Sequence, residues 1–171
     1  LRLPGTDGKA KMSKSLNNCI YLSDTAEEVS KKVMSMFTDP NHLKVSDPGE
    51  TEGNPVFIYL EAFANDEHFK KFWPEYENLE ALESHYRRGG LGDVKVKRFL
   101  VNVLNDTLEP IRERRKELEK DIPAIYDILK EGSIYAQKIA ARTLSEVKKA
   151  MRINYFDDDS LIRNHQEKFG K

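Results

Sequence analysis

One cysteine occurs in the 171 residues, Cys19, which excludes an internal disulfide and any metal cluster built on several thiolates. No apolar run approaches the roughly 20 residues of a membrane-spanning helix, and no signal peptide is expected at the start. Neither sign of charge dominates: 28 Lys and Arg against 29 Asp and Glu leave a net charge of −1. That balance excludes a bulk polyanion binder, so any nucleic-acid contact has to come from a local patch. The four histidines (His42, His68, His85, His165) lack the i, i+4 pairing of a helical zinc site and are expected at the surface or as caps. No Ser/His/Asp or Cys/His arrangement can be argued, and Asp157-Asp158-Asp159 reads as a turn or cap. No metal ligands are assigned. Alternating strands and helices of the nucleotide-binding kind are absent as well.

What is present is helical periodicity. Apolar residues make up 39% and charged residues 33%, which suits a helix-rich domain with a core of ordinary size. Residues 1–22 read as a loop with a short extended stretch, Cys19 to Leu22. Residues 23–54 read as a connecting helix and linker, 55–153 as a helical bundle, and 154–171 as a tail with no assigned role. Thr25-Ala26-Glu27-Glu28 has the capping-box pattern, followed by Val29, Val33, Met36 and Phe37 at helical spacing. Asp39-Pro40 should end that helix, and Asn54-Pro55 should start the next, with Val56, Phe57, Leu60 and Phe63 on one face.

Helices from Glu67 to Trp73 and from Pro74 to Arg88 are expected after that, the second stopped by Gly89-Gly90. From Asp93 a long helix should turn Val96, Phe99, Leu100, Val103, Thr107 and Ile111 inward. Pro110 should kink it by clashing with the carbonyl of Asp106. Asp121-Ile122-Pro123 breaks and restarts the chain, Gly132 marks a further boundary, and the last strong helix should run from Ser133 to Ile153. A short helix from Ser160 to Phe169 follows. The fold class is mainly α, a helical bundle, with the aromatic residues between Phe57 and Tyr86 in its core.

Chemistry is densest at Lys11-Met12-Ser13-Lys14-Ser15, preceded by the glycine-flanked stretch Gly5-Thr6-Asp7-Gly8-Lys9-Ala10. Ammonium groups on a movable loop suit a polyphosphate, because they can swing in as negative charge develops. A solvated lysine loop is the bland alternative; five letters in this order favour the functional one. A second candidate is the last strong helix. Ala136, Ile139, Ala140, Thr143, Leu144, Val147, Ala150 and Met151 form a stripe expected to be buried. Lys138, Arg142, Lys148, Lys149 and Arg152 lie opposite, against one acid, Glu146. Such a face attracts phosphates, although lysines near a helix C-terminus also answer its dipole. The cluster Arg112-Glu113-Arg114-Arg115-Lys116 differs, since Glu109, Glu113 and Glu119 stand at pairing distance along the helix.

All five letters from Lys11 to Ser15 match a signature loop of class I aminoacyl-tRNA synthetases. Further likeness lies in Gly5-Thr6-Asp7-Gly8, Met36-Phe37-Thr38-Asp39-Pro40-Asn41-His42, Asp47-Pro48-Gly49 and Glu52-Gly53-Asn54-Pro55-Val56-Phe57. Leu108-Glu109-Pro110-Ile111-Arg112 and the stretch from Thr143-Leu144 to Met151 extend it. With these stretches the chain resembles the C-terminal portion of the bacterial tryptophanyl-tRNA synthetases. Sister tyrosyl enzymes share the architecture but commonly carry a different loop.

The resemblance implies that the KMSKS loop stabilises ATP phosphates during tryptophanyl-adenylate formation, with Lys11 and Lys14 as catalytic residues. Ser13 and Ser15 would complete the ATP-binding set, and Met12 would pack and set the loop's resting position. ATP with Mg2+, L-tryptophan and tRNA(Trp) are the implied partners; no magnesium ligand and no tryptophan pocket is named. The bundle would be of the anticodon-binding type, making Lys138, Arg142 and Lys149 candidate tRNA contacts.

The nucleotide-binding domain and its His-x-Gly-His tetrad have no counterpart here. The chain is therefore expected to be a C-terminal part of a cytoplasmic, typically homodimeric parent. By itself it should be inactive and monomeric, with a mobile loop. A noncatalytic tRNA- or RNA-binding module of the same family is the alternative; plain helical scaffolding leaves the loop unexplained.

Overall fold

The computed structural model describes residues 3–170. The chain divides into two compact units, Leu1–Lys116 and Glu117–Lys171, so the segment 55–153 contributes to both. The first unit holds α1 (Ala26–Met34), α2 (Pro55–Phe63), α3 (Asp66–Phe72), α4 (Leu79–Arg88) and most of α5 (Asp93–Leu118). Local chemistry sets the starts. Thr25 and Glu28 form a reciprocal capping box on α1, and Asn54 caps α2 with Pro55 in its first turn. Val29 and Val33 of α1 meet Val56, Phe57, Tyr59 and Leu60 of α2, Phe69 of α3, and Leu82 and Tyr86 of α4. Val96, Phe99, Leu100, Val103, Leu104 and Leu108 of α5 complete this core. Each such side chain contributes about 1.5–3 kcal/mol on burial.

Several sequence expectations shift in this unit. Helix α4 begins at Leu79 rather than Pro74, because Asn78 accepts the Ala81 N–H at 3.0 Å and caps it there. Among the described residues Cys19 to Leu22 form no strand; the one backbone bridge joins Pro4 and Lys11. Helix α5 stays helical through Pro110. Its inward row continues through Leu104, Leu108 and Arg112, leaving Thr107 and Ile111 exposed. The cause is Arg112, whose guanidinium donates to the Asp24 carbonyl at 2.8 Å, to Asn105 Oδ1 at 2.8 Å and to Glu109 Oε2 at 3.0 Å. His42 and His68 are buried rather than superficial. His68 still caps α3, accepting the Asn65 N–H on Nδ1 at 3.1 Å. His42 packs edge-on against Tyr86 with its Nδ1 3.2 Å from Asp93 Oδ2.

The second unit holds α6 (Ile122–Ala150), a 3-10 turn (Tyr155–Asp157) and α7 (Asp159–Phe169). Gly132 does not interrupt α6. A helical glycine costs about 1 kcal/mol, too little to break 29 residues that start on an Asp121 cap with proline in the first turn. The expected buried stripe is exposed instead: no residue of α6 is buried, and Leu144 is 54% exposed. Within this unit α7 packs on the 3-10 turn. Asp158 caps α7 by accepting the Ser160 and Leu161 N–H groups, as the acidic run suggested. Among the described residues no helix is long and apolar enough to cross a membrane.

Candidate functional site

The loop around Lys11 is folded on a buried asparagine. Asn18, 3% exposed, accepts the Ser13 N–H on Oδ1 at 2.7 Å. Its amide donates to the Lys11 carbonyl and to Asp7 Oδ2, both at 3.2 Å. Asp7 in turn accepts the Lys9 and Ala10 N–H groups at 3.3 and 3.5 Å. Partial desolvation works against that carboxyl. The Lys9 N–H, the Asn18 amide and the Ala10 N–H outweigh it and hold Asp7 below the ordinary carboxylate range. Backbone bonds close the base: Gly5 N–H to Ala10 O at 2.7 Å and Thr6 N–H to Asn18 O at 3.0 Å. Gly8 takes a left-handed conformation, φ 68°, and a Cβ there would press on the Phe37 side chain.

Tyr59 ties this base to the core, donating its hydroxyl to the Pro4 carbonyl at 2.8 Å. Burial, with the Cys19 thiol nearby, pushes its phenol up to about 12.

On this support the signature residues separate. Lys11 and Lys9 share the rim of a hollow of about 250 Å³ that Leu3, Pro4, Ala10 and Ile58 also line. Lys14 is not part of it; it opens a 3-10 turn, Lys14–Leu16, that Asn17 closes in the left-handed region at φ 50°. Ser13 and Ser15 hydroxyls lie 2.8 Å apart. Lys11, Lys14 and Ser15 are exposed, while Met12 and Ser13 are half-buried. Sequence reasoning missed Asn18, Asp7 and Tyr59. The available signal was the Asn17-Asn18 pair, a residue type that accepts left-handed backbone and bonds its own loop.

On α6, Lys138, Arg142 and Lys149 are all exposed. At 100° per residue they fall within about 40° of one another on the helix. Arg142 Nε donates to Glu146 Oε1 at 3.0 Å, and both partners are open to water, so the pair is worth about 0.3–0.5 kcal/mol. Cations held that weakly can exchange a carboxylate for a phosphate.

A family model described as tRNA synthetases class I (W and Y) matches residues 2–109. A tryptophan–tRNA ligase from Clostridium longisporum is 59% identical over 157 residues, covering 92% of this chain and 43% of that protein. One from Streptococcus pyogenes serotype M3 is 59% identical over 155 residues, covering 91% of this chain and 44% of its own length. The chain thus spans under half the length of these curated relatives. Among solved structures, the tryptophanyl-tRNA synthetase of Campylobacter jejuni, complexed with ADP and tryptophan, superposes with a TM-score of 0.68 at 26% identity. That match covers 88% of this chain and 43% of the other.

Proposed function

Because the chain belongs to the class I tRNA synthetases of the tryptophan and tyrosine group, we propose that it carries the ATP-activating loop and the tRNA-binding helices of a tryptophan–tRNA ligase. In the first step the tryptophan carboxylate attacks the α-phosphorus of ATP, which enters as its magnesium complex, and pyrophosphate leaves. Charge builds on the departing phosphates. Lys11 and Lys14 are exposed ammonium groups on a base anchored by Asn18, so they can meet that charge without reorganising the loop's root. Ser13 and Ser15 add hydroxyl donors beside them. In the second step the terminal ribose of tRNA(Trp) takes the aminoacyl group, with the RNA held in part by Lys138, Arg142 and Lys149. The work belongs to cytoplasmic protein synthesis.

The observation that carries this is the five-residue loop with both lysines exposed, in a chain 59% identical to tryptophan–tRNA ligases. The test is ATP–pyrophosphate exchange in a full-length ligase containing this sequence. Lys14→Ala should slow exchange by roughly 10²–10³-fold, the usual loss for one transition-state donor, with tryptophan affinity little changed. An unaltered exchange rate would remove the proposed role of Lys14.

A further inference from the structure

One lysine of α5, Lys97, is buried. Its ammonium donates to the Met36 carbonyl at 2.6 Å and to the Met34 carbonyl at 3.1 Å. Both acceptors stand at the exit of α1, where a helix leaves its last carbonyls unpaired and its dipole favours a cation. Burial holds the Lys97 ammonium below the ordinary lysine range, while the Asp93 carboxylate works the other way. A methionine of similar length would fill the space with no charge to desolvate. What the ammonium adds is a fixed position for two carbonyls. Arg112 meets the Asp24 carbonyl just before α1, so α5 grips that helix at both ends.

Only the exit leads to the signature loop. Phe37, which follows Met36, donates its N–H to the Thr6 carbonyl at 3.0 Å. A Cβ at Gly8 would come within 3.0 Å of the Phe37 ring, so the two fit because Gly8 lacks one. Thr6 continues the path, its N–H donating to the Asn18 carbonyl at 3.0 Å. Asn18 then holds the Lys11 carbonyl and the Ser13 N–H. We propose that Lys97 is a positioning residue for adenylate formation: by fixing the exit of α1 it seats Phe37 beside Gly8 and Thr6, and so sets the root from which Lys11 and Lys14 project. The proposal rests on the ATP-activating role proposed above for the loop and adds a residue of α5 to it.

The experiment is ATP–pyrophosphate exchange in a full-length ligase containing this sequence, at a temperature where the variants are folded by circular dichroism. Lys97→Met keeps the stem and removes the charge. It should lower kcat by roughly ten- to a hundredfold, the scale of loss when reacting groups shift by about 1 Å. KM for ATP and for tryptophan should change little, as for an interaction made only in the transition state. Phe37→Ala alters an exposed side chain, spares the core, and tests the same path should Lys97→Met not fold. It should lower kcat likewise, and the double variant should be no slower than the slower single one. Arg112→Ala loosens the other end of α1; it should lower the urea midpoint and leave kcat unchanged. Equal kcat losses for Arg112→Ala and Lys97→Met would overturn the proposal in favour of general loosening of α1. Multiplying losses in the double variant would overturn it as well. If Lys14→Ala slows exchange while Lys97→Met and Phe37→Ala do not, the positioning role is refuted and the loop's own role stands. Exchange untouched by Lys14→Ala refutes both.

Discussion

Asn18 donates its side-chain amide to the carboxylate of Asp7 at 3.2 Å, spanning eleven positions of loop with one bond. The same side chain holds the Ser13 N–H and the Lys11 carbonyl, so it sets the backbone from which Lys11 and Lys14 project. Asn18→Ala should leave these groups unpaired at a cost of about 1–3 kcal/mol of local stability. In the full-length ligase it should lower ATP–pyrophosphate exchange while leaving the helical circular dichroism of the chain intact. Exchange at the unmodified rate would show that the loop's root does not govern its chemistry.

Gly5 reaches the same network from the opposite side. A Cβ at Gly5 would overlap the Asn18 carboxamide, so Gly5→Ala should displace it. Its effect on exchange should match that of Asn18→Ala. The double variant should be no worse than either alone, because both act on one set of bonds. Additive losses in a double-mutant cycle would contradict this coupling.

Acid should loosen the first unit through carboxylates held below their ordinary range. Hydrogen bonds lower Asp7 against its desolvation, the Thr25 N–H and hydroxyl lower Glu28, and the Lys71 ammonium lowers Asp106. A depressed folded-state pKa stabilises above the unfolded value, and that contribution disappears as pH falls through the folded one. Thermal melts should therefore be nearly level from pH 7 to about 5 and drop below about pH 4. Asp7→Asn should shallow that drop; a curve identical to the parent's would deny Asp7 its share.

Arg112 fastens α5 to the entry of α1, and its side chain is only 9% exposed. Arg112→Ala should cost about 1.5–3 kcal/mol, the range for hydrogen bonds to charged groups, read as a lower midpoint in urea denaturation. Arg112→Lys should recover little, since an ammonium cannot reproduce the fork that meets Asp24, Asn105 and Glu109 together.

Arg142→Ala separates stability from binding. Its ion pair with Glu146 is exposed on both sides, so the melting temperature should stay within the small change of a surface substitution. Binding to tRNA should weaken, with the salt dependence reduced by about one unit of slope. Unchanged affinity and slope would take Arg142 out of the RNA surface.

How far each of these features could be seen in the sequence follows the range of its cause. The Thr25 and Asn54 caps and the five-letter loop are written in neighbouring residues, where hydrogen-bonding chemistry and periodicity act within one turn. Gly132 misled for the same reason, since a local breaker signal of about 1 kcal/mol yields to a long helix around it. The Asn18 network was half visible, as a pair of asparagines after the loop, but the partner at Asp7 was not.

The sequence by itself determined most of the element types and helix starts and marked out the five-residue lysine loop, because those depend on residues a few positions apart. Only the tertiary structure decided which row of α5 faces inward, that His42 lies beneath Tyr86, and that Lys97 of α5 meets the carbonyls at the exit of α1. Arg112 is buried because a carbonyl 88 positions earlier comes to meet it, and no periodicity within α5 can encode that acceptor. The apolar stripe of α6 shows the converse: a helical pattern specifies a face, and burial requires a second surface brought against it.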